Sequence, residues 1–107
     1  MKTIFIKKEA LNDIISGDKI YELRLKKPFF TNIYVGEKIL FKDLNRSLKC
    51  CIENIIIFND LNEVFDELNY FDFNKRSGCK EETIKLYHTI YSKFEIPILV
   101  FKIKKDE

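Results

Sequence analysis

Three charged side chains that could carry chemistry, Lys19, Glu22 and Arg24, lie in the segment GDKIYELRLKK at residues 17–27. Glu22 and Arg24 are two residues apart, so on a strand both would point to one face, roughly 6.5–7 Å apart. A guanidinium there could bind a phosphate or a base edge through two parallel hydrogen bonds. A carboxylate could accept a hydrogen bond from an exocyclic amine, or act as a general base if burial raised its pKa. A lysine could contact phosphate or, if buried, act as a base or nucleophile.

The same residues also have a purely structural interpretation. On an exposed strand, Glu22 and Arg24 would form a surface ion pair that contributes only about 0–1 kcal/mol to stability. The residue pattern by itself allows both interpretations.

Periodicity predicts a helix before this segment and a strand within it. Apolar residues recur at helical spacing after Lys8, and Gly17 can adopt the left-handed conformation that ends a helix. Alternation over residues 19–25 predicts a strand with one apolar and one mainly charged face. The apolar face holds Tyr21, Leu23 and Leu25, and the other face holds Ile20, Glu22, Arg24 and Lys26.

The whole chain is predicted to follow the order β-α-β-β-β-α-α-β. The predicted strands are residues 3–7, 19–25, 38–42, 48–58 and 96–103, and the predicted helices are residues 8–16, 60–68 and 80–92. Residues 28–34 are expected to form a loop and residues 43–46 a hairpin turn. The run from Ile55 to Ile57 is apolar on both faces, so its strand should be central and well covered. This order predicts one α+β domain over residues 1–107, a small curved mixed sheet or partial barrel with three helices.

Composition is typical of a globular protein, with 46% hydrophobic and 34% charged residues. The net charge of +2 does not by itself indicate nucleic acid binding, so any basic surface must come from local clustering, as at residues 26–27 or 102–105. No apolar run approaches the ~20 residues of a membrane helix, and no signal peptide is recognisable. A cytoplasmic protein without a membrane partner is expected.

The three cysteines and the single histidine give weak signals. Cys50, Cys51 and Cys79 lack the CxxC or cysteine–histidine spacing of a metal site, and we expect them to be small buried side chains. His88 has no placed nucleophile or carboxylate beside it. No metal and no cofactor are predicted.

Aromatic residues cluster in the loop at residues 28–34. Phe29, Phe30 and Tyr34 could stack on unpaired bases. Alternatively, they could cap the open end of a small barrel, which is favoured because so small a core needs its aromatic side chains.

The spacing G-x-K-x-x-E-x-R at residues 17–24 resembles the signature of the ASCH domain, a family in the PUA-like group of small β-barrels. In that family a short helix ends in glycine, and a lysine and a Glu-x-Arg strand follow. The segment VGEKILF at residues 35–41 is similar to the glycine turn and apolar strand that come next, with Glu37 where the family usually has aspartate. A strand leading into a helix at residues 58–68, and a tyrosine-rich helix before the last strand, extend the resemblance over nearly the whole chain.

The resemblance implies a pseudo-barrel with a cleft between the first helix and the barrel. Lys19, Glu22 and Arg24 would line this cleft, and Tyr91 and Ser92 at the end of the last helix would lie beside it. ASCH domains are thought to bind RNA.

Some small bacterial members of the family remove the acetyl group from acetylated cytidine. That branch is understood to use a lysine at the position of Lys19, a threonine at the position of Glu22, and a glutamate before the last helix. Here the threonine is replaced by Glu22, and Lys75, Arg76 and Ser77 precede the last helix.

Two functions therefore compete. The first is binding of RNA, a nucleotide or a modified nucleoside, and its predicted residues are Lys19, Glu22, Arg24, Lys26, Tyr91 and Ser92. The second is hydrolysis of an N-acetylated cytidine nucleoside, with Lys19 and Glu22 catalytic. The missing threonine–glutamate pair favours binding. A third possibility is a protein-interaction domain that has kept only the fold.

Overall fold

A computed structural model describes residues 1–91 and 97–106. The strands and helices are β1 (Lys2–Phe5), α1 (Lys8–Ser16), β2 (Tyr21–Leu25), α2 (Pro28–Thr31), β3 (Lys38–Lys42), β4 (Ser47–Phe58), α3 (Leu61–Glu67), α4 (Lys80–Ile90) and β5 (Ile98–Lys105). Two single turns of 3₁₀ helix, Tyr70–Asp72 and Lys75–Ser77, connect α3 to α4.

The five strands form one sheet in the order β1-β3-β4-β5-β2. β1 runs parallel to β3, and the other neighbouring pairs are antiparallel. The sheet is mixed and curls into a half-barrel, so the predicted fold class is confirmed. β1 and β2 are its two edge strands, and the segment of charged residues therefore lies on an edge.

Two hydrophobic clusters cover the two faces of the sheet, and β5 contributes to both. Leu99 and Phe101 pack in the first cluster, together with α1, β3 and the first half of β4. Ile98 and Val100 pack in the second cluster, under α3 and α4. Because successive strand residues point to opposite faces, β5 links the two clusters through its backbone.

The central position predicted for β4 is confirmed, but its coverage is incomplete. Ile55 and Ile56 are half-buried, and Ile57 is 56% exposed. Ile57 lies past the edge of the cluster that Ile55 contacts, so an apolar run on both faces did not ensure burial at the end of the strand.

Two differences from the predicted elements lie at residues 28–34 and at the end of α4. Residues 28–34 contain one turn of helix, α2, in addition to loop, because Pro28 fixes a helical φ at its start. α4 ends at Ile90, and Tyr91 caps the helix by donating its N–H to the carbonyl of Tyr87. The predicted start of the last strand, Ile96, lies outside the described residues.

The cysteines are free thiols. Cys50 is buried in the first cluster, as predicted, and burial raises the pKa of its thiol to about 11. Cys51 and Cys79 are only partly buried, so the prediction was wrong for these two. Within the described residues, no helix is long and apolar enough to cross a membrane.

Candidate functional site

A tight turn after α1 places Lys19 just before the start of β2. Gly17 adopts a φ of +88°, and its N–H donates to the carbonyl of Ile14, which ends the helix as predicted. The N–H of Lys19 then donates to the carbonyl of Asp13 at 3.0 Å. The side chain of Lys19 reaches the backbone of β2 and of Phe73.

Lys19, Glu22 and Arg24 form a connected ion triad. Lys19 Nζ lies 3.2 Å from Glu22 Oε1, and an Arg24 terminal nitrogen donates to Glu22 Oε2 at 3.1 Å. Only 5% of Lys19 and 6% of Glu22 are exposed. The interpretation as a surface ion pair is therefore wrong, because the carboxylate and one of its two cations are buried.

The buried ammonium has further partners in the backbone. Lys19 Nζ donates to the carbonyl of Tyr21 at 2.7 Å and to that of Phe73 at 3.0 Å. Together with the ion pair to Glu22, these two hydrogen bonds surround Lys19 Nζ with protein oxygens. The arrangement holds the Lys19 side chain in one position.

The two cations decide the charge of Glu22. Burial by itself would raise the pKa of this carboxyl, but the positive charges of Lys19 and Arg24 outweigh burial and hold the pKa below its ordinary value. Glu22 is therefore ionised at neutral pH. The raised pKa that would suit it to general-base catalysis is not found.

Arg24 connects the two edges of the sheet. A terminal nitrogen of its guanidinium donates to the carbonyl of Phe5, at the end of β1, at 3.2 Å. The guanidinium also lies over the ring of Phe30, 5.4 Å from the ring centre. Its side chain is 24% exposed, so its remaining N–H groups can reach a ligand.

A cleft of about 480 Å³ opens beside this triad. It lies where α1, the end of β1, β2, the second 3₁₀ turn and α4 meet, as the sequence resemblance implied. Most of its lining is apolar or aromatic, and the charged groups cluster at a few points. The lining residues include Phe5, Ala10, Asp13, Lys19, Glu22, Arg24, Phe73, Arg76, Leu86, Tyr87, Ile90 and Tyr91.

A second ionic cluster closes one wall of the cleft. Both carboxylate oxygens of Asp13, on α1, accept hydrogen bonds from the guanidinium of Arg76, in the second 3₁₀ turn. Lys75 donates to Asp18 at 2.6 Å and lies 3.8 Å from Asp13. These pairs fasten α1 to the segment before α4, where the hydrolase branch would have its glutamate.

Sequence reasoning missed Asp13, although a signal for it exists. Asp13 falls on the apolar stripe of α1, between the buried Leu11 and Ile14, and is itself only 3% exposed. A carboxylate at such a position needs a partner. No local pattern shows that this partner is Arg76, 63 residues further along the chain.

The other predicted site residues are placed differently. Tyr91 lines the cleft beside Tyr87, and burial raises the pKa of both phenols. Lys26 is exposed and outside the cleft lining. Ser92 lies outside the described residues.

Of the remaining candidates, only one is packed as expected. Phe30 contacts Phe101 and covers the first cluster, which fits the capping role. Phe29 and Tyr34 are exposed, and so is His88, which does not line the cleft. Within residues 1–91 and 97–106, no three His, Cys, Asp or Glu side chains lie close enough to hold a metal ion.

The curled mixed sheet, the helix that ends in glycine and the charged edge strand define a small PUA-like domain. Comparison with protein families matches residues 4–99 to the ASCH domain. The chain therefore belongs to the ASCH domain family, as its motif predicted. A comparison with curated proteins gave no match.

Solved structures show the same fold at low sequence identity. The hypothetical protein PH0355 is 19% identical with a TM-score of 0.85, covering 99% of this chain and 100% of that chain. PF0455 from Pyrococcus furiosus is 19% identical with a TM-score of 0.79, covering 99% and 97%. A mutant of ZmASCH from Zymomonas mobilis is 17% identical with a TM-score of 0.69, covering 95% and 67%. At such identities the likeness establishes the fold alone.

Proposed function

We propose that this protein binds RNA or a nucleotide-like ligand, with one base unit in the cleft. The observation that carries this proposal is the ion triad of Lys19, Glu22 and Arg24, with Lys19 and Glu22 buried, beside a largely apolar cleft. A buried ion network is a weak source of stability, because desolvation offsets much of the attraction. Its position beside a cleft of ligand size supports a role in binding.

The chemistry of the cleft suits a base with polar edges. Two cations and one carboxylate leave the triad with a net positive charge, and both oxygens of Glu22 already face a cation. The guanidinium of Arg24 therefore offers N–H donors to phosphate oxygens or base acceptors. The rings of Phe5, Tyr87 and Tyr91 supply apolar walls against which a base can stack. A volume of about 480 Å³ is in the usual range for small-molecule sites.

The first prediction concerns Arg24. Arg24→Ala removes the partly exposed donor but leaves Glu22 paired with Lys19, so the protein should stay folded. We expect its affinity for ribonucleoside monophosphates to fall by about tenfold or more, which corresponds to about 1.4 kcal/mol. Isothermal titration calorimetry measures the affinity, and thermal unfolding checks the fold.

Lys26→Ala is the matched control, because it removes a cation from the same strand end but outside the cleft. Its affinity should equal that of the wild type. Equal losses in the two variants, or a collapse of folding in Arg24→Ala, would contradict a binding role for Arg24.

The alternative function is hydrolysis of an N-acetylated cytidine nucleoside. One observation favours it: Lys19, the residue that matches the hydrolase lysine, is buried next to a carboxylate at the cleft. Two observations favour binding instead. Lys19 Nζ already donates to two backbone carbonyls and pairs with Glu22, and Arg76 stands in the segment where a glutamate is expected.

The second prediction tests this alternative. Incubation with N4-acetylcytidine and chromatography for free cytidine should show no turnover above that of Lys19→Ala. Circular dichroism establishes that this variant is folded before the two are compared. Turnover by the wild type that the folded variant lacks would replace the binding proposal with the hydrolase.

A further inference from the structure

Lysines on β3, β4 and the end of β5 occupy the part of the second face of the sheet that lies beyond the residues packed under α3 and α4. Lys38 on β3 pairs in register with Cys51 on β4, and Cys51 pairs in turn with Lys104 on β5. Ile39, Cys50 and Ile103, the neighbours of these residues, are buried in the first cluster. Because successive strand residues alternate, Lys38, Cys51 and Lys104 share the opposite face.

The same alternation places three more lysines on this side of the sheet. Phe41 and Ile52 point into the first cluster, so Lys42 and Lys49 point outward, and Lys102 does so two residues before Lys104. We call this surface the lysine face. It consists of Lys38, Lys42, Lys49, Lys102 and Lys104.

The lysine face concentrates the positive charge of the chain. The surface holds five lysines and two carboxylates, Glu53 and Asp106. The excess of three positive charges there is larger than the net charge of +2 for the whole chain. Asp106 pairs with Lys38 at 2.7 Å and with Lys49 at 3.5 Å. Among the described residues, Lys42 and Lys104 are exposed and form no ion pair.

Phe5 joins the lysine face to the cleft. It pairs in register with Lys42, on the outward side of the sheet, because its neighbour Ile4 points into the first cluster. It is 70% exposed and also lines the cleft. An aromatic ring thus stands between the lysine face and the cleft.

The dimensions suit an extended strand of several nucleotides. Lys38 and Lys42, four residues apart on β3, are about 13 Å apart along the strand, and β3 and β5 are about 10 Å apart across the sheet. Lysine side chains over such an area can follow a phosphate backbone without reading its sequence.

We propose that the lysine face binds the phosphate backbone of a single-stranded RNA whose base enters the cleft past Phe5. This inference rests on the proposed function and extends it, since it makes the ligand a strand rather than a free nucleoside. Stacking on an exposed aromatic ring next to a positively charged surface is the usual way in which proteins hold single-stranded nucleic acid.

The experiment compares two double variants that remove the same charge. Lys42→Gln with Lys104→Gln alters the lysine face, and Lys80→Gln with Lys85→Gln alters α4. Binding of a nine-nucleotide oligouridine and of uridine monophosphate is measured by fluorescence anisotropy competition at several salt concentrations. We expect the first variant to lose about tenfold in affinity for the oligonucleotide, and its salt dependence to weaken by about 1.4 in the slope of log K against log salt. Both variants should bind the mononucleotide as the wild type does.

The outcomes separate this inference from the proposed function. Mononucleotide binding by the wild type, with no gain from the longer RNA or with equal losses in both variants, overturns the lysine-face proposal alone. Failure of the wild type to bind the mononucleotide overturns the proposed function. Binding to phosphatidylserine vesicles that matches RNA binding, and is lost in the same variant, would assign the face to a membrane surface and overturn the proposal.

Discussion

Glu22 is the residue on which the charges of the site depend. It is the only carboxylate in the triad, and it separates two cations that would otherwise repel each other at the edge of the cleft. Removing one partner from a buried ionic network leaves uncompensated charge, which is costly even when the intact network adds little stability. The role of Glu22 in stability can therefore be tested apart from any ligand.

The third prediction is a pH dependence that follows from Glu22. Its folded-state pKa is lowered from the ordinary value of 4.5, so its ion pairs stabilise the fold fully above that pH. This stability is lost as the pH falls through the lower, folded-state pKa, where the carboxyl takes up a proton. At neutral pH, Glu22→Gln should lower the free energy of unfolding by about 3 kcal/mol. The gap between the variant and the wild type should narrow below about pH 4.5.

Urea unfolding at pH 7, 5, 4 and 3 measures this effect. Other carboxylates also titrate in this range, so the informative quantity is the difference between the two proteins at each pH. The exposed Glu81→Gln serves as control and should stay close to the wild type throughout. A gap for Glu22→Gln that is constant with pH would show that loss of the carboxylate charge does not cause the destabilisation, and would contradict the prediction.

At the scale of elements, the turn from α1 into β2 positions the site. It reverses the chain within a few residues, and the backbone of Lys19 is held to the end of the helix through Asp13. Gly17 makes the reversal possible because its φ of +88° is strained for residues with a side chain. A Cβ at this position would meet nothing within 4 Å, so backbone conformation alone selects glycine.

The fourth prediction follows from that open space. Gly17→Ala should lower the free energy of unfolding by about 1–2 kcal/mol, the cost of the left-handed conformation for a residue with a Cβ. Gly17→Asn should lose clearly less, because asparagine adopts this conformation more readily. Urea unfolding at neutral pH compares the two. Equal losses would point to crowding instead of backbone strain.

The elements that build the cleft come from distant parts of the chain. α1 and the second 3₁₀ turn are held together by Asp13 and Arg76, and the carbonyl of Phe73 reaches the buried ammonium of Lys19. The shape of the cleft thus depends on the segment between α3 and α4 as much as on the signature motif. Variants in that segment should be considered when binding is studied.

At the scale of the whole molecule, local patterns predicted the elements well. The period of α1, the glycine that ends it and the alternation in β2 and β3 each depend on neighbouring residues, so they are visible in the sequence. The family motif then supplied the fold and the location of the cleft. The helical turn in α2 was missed because four residues are too few to show a period.

The burial of side chains and the pairing of residues far apart in the chain could not be predicted from local patterns. Alternation places Glu22 opposite Leu23, which suggests solvent, yet both are buried, Leu23 in the second cluster and Glu22 between Lys19 and Arg24. Likewise, the outward row of Lys38 and Lys104 depends on the register of three strands that are far apart in sequence. Such features depend on how strands and helices pack against each other, and local sequence patterns do not show this packing.

The double role of β5 has a consequence for how this domain can diverge. Its residues from Ile98 to Phe101 are buried alternately in the two clusters, so a change of volume at any of them disturbs one core or the other. PH0355 has the same fold although only 19% of its residues are identical to those of this chain.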